Sequence, residues 1–121
     1  MSELTFVVVD DAVFMRTLIK RMIEEIGNYK VVAEGANGLE AIDKANTHRP
    51  DVMTLDITMP DMDGITAVKE ILQVSPNTKI IMVSAMGQQS MVIEAIKQGA
   101  KDFVVKPFEK TRVLQAIKNV L

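Results

Sequence analysis

The sequence predicts a three-layer α/β domain: five parallel strands with helices on both faces. Two observations carry this. Apolar runs alternate five times with stretches of helical period, the pattern of βαβ units. The apolar runs also lack the in–out alternation of a half-exposed sheet, as expected of strands covered on both sides. A third feature concerns chemistry: most of these runs end on a charged or hydroxylated residue.

The first strand is read in "FVVV", residues 6–9, which runs straight into Asp10 and Asp11. The first helix is "VFMRTLIKRMIEEI", residues 13–26. Its Met15, Leu18, Ile19, Met22 and Ile26 recur at helical spacing as one apolar face, leaving Arg16, Lys20, Glu24 and Glu25 for solvent. Gly27 follows where a left-handed cap suits glycine. Strand two, "YKVVAE", ends in Glu34 and Gly35 and is expected at a sheet edge. Helix two is "GLEAIDKA", residues 38–45, and His48 in "NTHRP" reads as a surface loop residue. Strand three, "DVMTL", delivers Asp56, and the turn-rich "MPDMDG" makes Asp61 and Asp63 loop or cap residues.

Helix three is "GITAVKEIL", and strand four, "KIIMVS", ends in Ser84. Helix four is read in "MVIEAIKQ", with Gly99 as its cap. Strand five, "DFVV", leads to Lys106, and the last helix, "KTRVLQAIKNVL", repeats apolar residues at Val113, Ile117, Val120 and Leu121.

Composition narrows the functional classes. The 121 residues suit one domain over 1–121 with one core. Net charge is −2, which gives no electrostatic case for nucleic acid or an anionic membrane. No apolar run approaches the ~20 residues needed to span a bilayer, and the start "MSELTFVVVDD" lacks signal-peptide features. Cysteine is absent, which removes disulfide and thiol chemistry and is compatible with a cytoplasmic location. With His48 the one histidine, a histidine cluster for zinc is excluded. The nine methionines are read as pliable core filler.

In an open parallel sheet, ligands bind outside the carboxyl ends of the strands. Asp10, Asp11, Asp56, Ser84 and Lys106 therefore share one rim. Carboxylates at such range repel: two unit charges 4 Å apart cost about 4 kcal/mol at an effective dielectric of about 20. A dication removes that cost, and oxygen-only ligands favour a hard ion such as Mg²⁺, which binds one or two carboxylates together with phosphate. Lys106 adds a positive charge for a phosphoryl oxygen, Ser84 a hydroxyl donor. A carboxylate can itself be the nucleophile and form an acyl phosphate. Taken singly, each residue has a plainer role. The paired aspartates suit a helix N-terminus, Asp56 an ordinary loop and Lys106 a solvated surface.

Over essentially its whole length the chain resembles the receiver domain of two-component response regulators. The matching elements are "VVVDDA", "LDITMPDMDG", "VSA" and "VVKPF", in this order and spacing. The resemblance implies a flavodoxin-like sheet in the order 2-1-3-4-5 with five helices. It implies Asp56 as phosphoacceptor and a Mg²⁺ site of Asp10, Asp11, Asp56 and the main-chain carbonyl of Thr58, with Asp10 acting mainly through a metal-bound water. It also implies that Lys106 pairs with the phosphoryl oxygens and forms a cis bond to Pro107. It further implies that Ser84 swings toward the phosphoryl group and that Phe103 moves inward with it as the switch aromatic. Ser84 replaces the frequent threonine and keeps the hydroxyl; Phe103 replaces the frequent tyrosine and loses one. As mere core filler, Phe103 has a plainer reading. Thr58 and Met86 stand where the family tunes phosphoryl lifetime.

The expected function is a phosphorylation switch rather than a turnover enzyme. A histidine kinase is the phosphodonor, and the output surface lies around residues 88–121. The last helix is followed by no output module, as expected of a stand-alone, monomeric regulator. "DDAVFMR", "DITMPDMDGI" and "SAMGQQ" resemble most the chemotaxis regulators that bind the flagellar motor switch protein, with a phosphatase as a further partner. A phosphorelay shuttle and a receiver cut from a larger transcriptional regulator are the alternatives within the family, beside a degenerate receiver that only binds. Outside it stands a phosphatase of the haloacid dehalogenase type. "DIT" could mimic that nucleophile motif, but there the nucleophile follows the first strand, and such enzymes need a cap or pocket for which few residues remain.

Overall fold

A computed structural model describes residues 3–121. Strands β1 (Leu4–Val9), β2 (Tyr29–Gly35), β3 (Val52–Asp56), β4 (Lys79–Ala85) and β5 (Asp102–Lys106) alternate with helices α1 (Val13–Glu24), α2 (Gly38–His48), α3 (Gly64–Val74), α4 (Gln89–Gln98) and α5 (Lys110–Val120). All sheet pairings are parallel, in the order β2-β1-β3-β4-β5. The expected architecture and strand order are both present. Among the described residues, no helix is long and apolar enough to cross a membrane.

In place of the one core expected, the sheet separates two, and these explain the non-alternating runs. Val7, Val9, Met53, Leu55, Ile80 and Met82 face one way, against α2, α3 and α4. Phe6, Val8, Val52, Ile81, Val83 and Val104 face the other, against Ile19 and Ile23 of α1 and Val113, Ala116 and Ile117 of α5. Successive strand residues thus serve opposite layers, and both must be apolar.

Several local expectations are corrected. The buried stripe of α1 is centred on Ile19 and Ile23, with Met15 and Met22 at its margin. Arg16 is not left to solvent: it is tucked against the end of β2, where Glu34 attracts it. Gly27 has no left-handed backbone, because α1 ends earlier and its cap, Glu25, stays right-handed. Gly99 does take positive φ, at 125°. His48 closes α2 instead of lying in a loop, with Arg49 as the left-handed cap. Leu121 is exposed, and Ala116 takes its place in the buried face of α5. Both β2 and β5 are edges, so alternate residues of β5, Phe103 and Val105, reach the surface.

One core position is polar without compensation. Thr54 of β3 is 2% exposed, and its hydroxyl has no hydrogen-bond partner among the described residues. An unpaired buried hydroxyl is destabilising, and valine has nearly the same shape. Thr54→Val is expected to stabilise the protein by about 1 kcal/mol. The check is a higher urea midpoint with an unchanged slope.

Candidate functional site

The strand order reverses at β1, which has β2 on one side and β3 on the other. Crevices form at such switch points outside the carboxyl ends of the strands. Asp10 and Asp11 follow β1 there, and Asp56 is the last residue of β3. Each offers a carboxylate oxygen, and the three oxygens lie within 4.8 Å of one another.

Asp10 is fully buried and fixed on every side. Its amide donates to the Gly35 carbonyl at 3.0 Å. Its Oδ1 accepts from the Ala12 amide at 2.9 Å, which turns the chain into α1. Its Oδ2 accepts from Lys106 Nζ at 3.0 Å. Its carbonyl accepts from Arg16 Nη1 at 2.7 Å, while Arg16 Nε donates to Glu34 Oε1 at 3.2 Å. Asp11 is exposed, at the mouth of the cluster.

Asp56 is 7% exposed. Its Oδ1 accepts from the Ile57 amide at 2.9 Å, and its Oδ2 lies 3.5 Å from Lys106 Nζ. Burial first, then the charge of Asp10, push its pKa from 3.8 up to about 6, against the pull of Lys106 and the Ile57 amide. Burial works against the charged form of Lys106, but its hydrogen bond to Asp10 and the charge of Asp56 outweigh this and hold its pKa above the ordinary value. The bond between Lys106 and Pro107 is cis, as the resemblance implied.

Tight backbone packing sets the position of Asp56. The Gly64 amide donates to the Ile57 carbonyl at 2.8 Å, and a Cβ on Gly64 would lie 2.1 Å from the Asp56 carbonyl oxygen. Only glycine lets α3 start so close to the end of β3. Asp63 caps that helix through the Thr66 amide at 2.8 Å, and Asp61 takes positive φ and accepts from Asn37 Nδ2.

Ser84 is buried at the end of β4, and its hydroxyl is directed to the Val104 carbonyl at 3.4 Å. Phe103 is 37% exposed on edge strand β5, with the Arg112 guanidinium 6.0 Å above its ring. Between them is a cavity of about 300 Å³, lined by Ser84, Met86, Val92, Ile93, Phe103 and Val105 among others. The Thr58 hydroxyl accepts from Gln88 Nε2 at 3.0 Å.

The structure therefore brings Asp10, Asp11, Asp56 and Lys106 together, and sets Ser84 and Phe103 beside a shared cavity. Arg16 and Gln88 were not recognised in the sequence as parts of this site. Their partners, Glu34 and Thr58, lie 18 and 30 residues away along the chain. No local spacing signals such contacts.

Comparison with known proteins shows the family. The model of the response regulator receiver domain family matches residues 6–118. The chemotaxis protein CheY of Bacillus subtilis is 59% identical over 114 residues, covering 94% of each chain. That of Thermotoga maritima is 57% identical over 113 residues, covering 93% of each. Among solved structures, a CheX–CheY–BeF3–Mg²⁺ complex from Borrelia burgdorferi aligns with a TM-score of 0.91 at 36% identity, over 98% of this chain and 90% of that one. On fold, site geometry and these matches together, the chain belongs to the response regulator receiver domain family, and within it is CheY-like.

Proposed function

We propose that residues 1–121 form one receiver domain that takes a phosphoryl group onto Asp56 from a histidine kinase and thereby changes its affinity for a partner protein. The observation that carries this is the buried Asp56 carboxylate, held against Asp10 and Asp11 and reached by Lys106. The attacking Asp56 oxygen forms its bond to phosphorus as the bond to the donor nitrogen breaks, so catalysis lies in alignment and charge neutralisation.

The donor set fits Mg²⁺. It is all oxygen, and three carboxylates against one amine leave an excess of negative charge. Asp10, Asp11, Asp56 and the Thr58 carbonyl would hold the ion, which supplies positive charge to the phosphoryl oxygens when bound. Lys106, already within reach of Asp10 and Asp56, supplies further positive charge. Ser84 leaves the Val104 carbonyl for the phosphoryl group, and Phe103 turns into the cavity that Ser84 lines. The Phe103 ring stands beside that space already, which supports a switching role over that of core filler.

Likeness to chemotaxis proteins supports an output on the flagellar motor switch in the cytoplasm. The Borrelia burgdorferi CheY is in complex with CheX, BeF3 and Mg²⁺, which supports a further protein partner, in our reading a phosphatase, and a divalent ion for this chain. The test is intact mass after incubation with acetyl phosphate and Mg²⁺. A gain of one phosphoryl group, dependent on Mg²⁺, is expected; no gain on either acetyl phosphate or a phosphorylated kinase domain overturns the reading.

A further inference from the structure

The loop between β4 and α4 is built around a side chain that does not do what its position suggests. Ala85, Met86, Gly87 and Gln88 form a turn closed by the Gln88 amide on the Ala85 carbonyl at 3.3 Å, and Gly87 takes φ 89° at its third position. That conformation is available to glycine at little cost. Gln88 is the N-cap residue of α4, yet among the described residues its side chain makes no cap bond to the helix. Instead the carboxamide folds back across the site. Its Oε1 accepts from the Ala85 amide at 2.6 Å, and its Nε2 donates to the Thr58 hydroxyl at 3.0 Å. One side chain thus ties the end of β4 to the loop after β3, spanning the two segments that flank Asp56.

Both groups at the end of β4 are engaged away from Asp56: the Ser84 hydroxyl with Val104, the Ala85 amide with Gln88. Ser84 and Ala85 are consecutive, so a backbone shift that carries Ser84 toward Asp56 would also draw the Ala85 amide off the Gln88 oxygen. We infer that Gln88 is a positioning residue whose carboxamide straps the β4–α4 loop to Thr58 in the unphosphorylated protein, and that loading of Asp56 proceeds against this strap. The absent N-cap bond keeps the start of α4 cheap to rearrange once the strap is released.

This inference rests on the receiver reading, and its test separates the two. The probe is beryllofluoride with Mg²⁺, titrated by amide NMR into the parent, Gln88→Ala, Gln88→Met and Thr58→Val. Gln88→Met keeps the side-chain length without either hydrogen bond, so it isolates the strap from packing. Each hydrogen bond contributes a factor of about five. Both Gln88 variants are expected to bind beryllofluoride about fivefold or more tightly than the parent, with Thr58→Val giving part of that gain. The double variant Gln88→Ala/Thr58→Val is expected to gain nothing over Gln88→Ala, because Thr58 acts through Gln88. Affinities within twofold of the parent in both Gln88 variants, or additive gains in the double variant, overturn the strap. A parent that takes no beryllofluoride overturns the receiver reading, and the strap with it.

Discussion

Replacing Asp56 by asparagine is expected to abolish phosphoryl acceptance and, in buffer free of divalent ions, to make the folded protein more stable at neutral pH. The first effect follows from chemistry: an amide is a poor nucleophile, and the acyl phosphate needs the carboxylate. Continued modification by acetyl phosphate at the parent rate would remove Asp56 from its assigned role. The second effect follows from electrostatics. The folded state holds the Asp56 proton up to about pH 6, against 3.8 for a free side chain. For a group whose folded pKa is raised, stability is fully present below the unfolded value and is lost as pH rises through the folded one. The parent therefore loses stability from about pH 4 to pH 6, and above that it carries an ionised Asp56 at a net cost. At 1.36 kcal/mol per pKa unit the cost is about 1–3 kcal/mol. Asparagine cannot ionise, so the variant is expected to gain about that much at pH 7 and to lose the pH 4–6 slope. Urea unfolding at pH 4, 6 and 8 reads it; equal pH slopes in parent and variant would show that Asp56 is not the group responsible.

This cost explains why the site could be read from sequence when its fine structure could not. Three carboxylates at one end of a parallel sheet repel one another unless something offsets their charge, and the ends of the strands are fixed by the apolar runs before them. Asp10, Asp11, Asp56, Ser84 and Lys106 were therefore legible as soon as "FVVV", "DVMTL", "KIIMVS" and "DFVV" were taken as neighbouring strands. Chain order alone does not give the sheet order, which came with the family resemblance; register confirms it, with Val9 beside Leu55 and Asp56 beside Val83. Arg16 departs from its expected place because helical period puts it off the apolar face, while the Glu34 that draws it inward belongs to another element. Gln88 carries no local signal, since it lies among the small and polar residues Gly87, Gln89 and Ser90; its placement is set by a turn at Gly87 and by Thr58, both features of tertiary structure. A cap at Gly27 requires α1 to continue to Ile26, but that helix ends two residues earlier, at Glu24.

Lys106→Ala is expected to tighten Mg²⁺ binding while weakening both the metal-free fold and the phosphorylated switch, and this combination distinguishes a counter-ion from a mere surface lysine. Lys106 Nζ lies 3.0 Å from Asp10 and 3.5 Å from Asp56, with its side chain 25% exposed. In the metal-free protein it is the one cation recorded in contact with these carboxylates among the described residues, and removing one partner of a largely buried pair leaves the others uncompensated. The partial exposure tempers the loss, so a destabilisation of about 2 kcal/mol at pH 7 is expected. The same amine repels a dication bound by those oxygens, so its removal favours metal; a tenfold gain in Mg²⁺ affinity corresponds to about 1.4 kcal/mol. Once Asp56 carries a phosphoryl group the balance changes sign. The added negative charge then lacks its nearest protein cation, and the variant is expected to show little of the parent's gain in partner affinity on phosphorylation. Mg²⁺ titration by amide NMR, urea unfolding without metal, and partner affinity before and after treatment with beryllofluoride measure the three terms separately. Weaker Mg²⁺ binding in Lys106→Ala would mean that the lysine organises the carboxylates more than it repels the ion. An undiminished partner response would mean that the phosphoryl charge is read out through Ser84 and the β4–α4 loop alone.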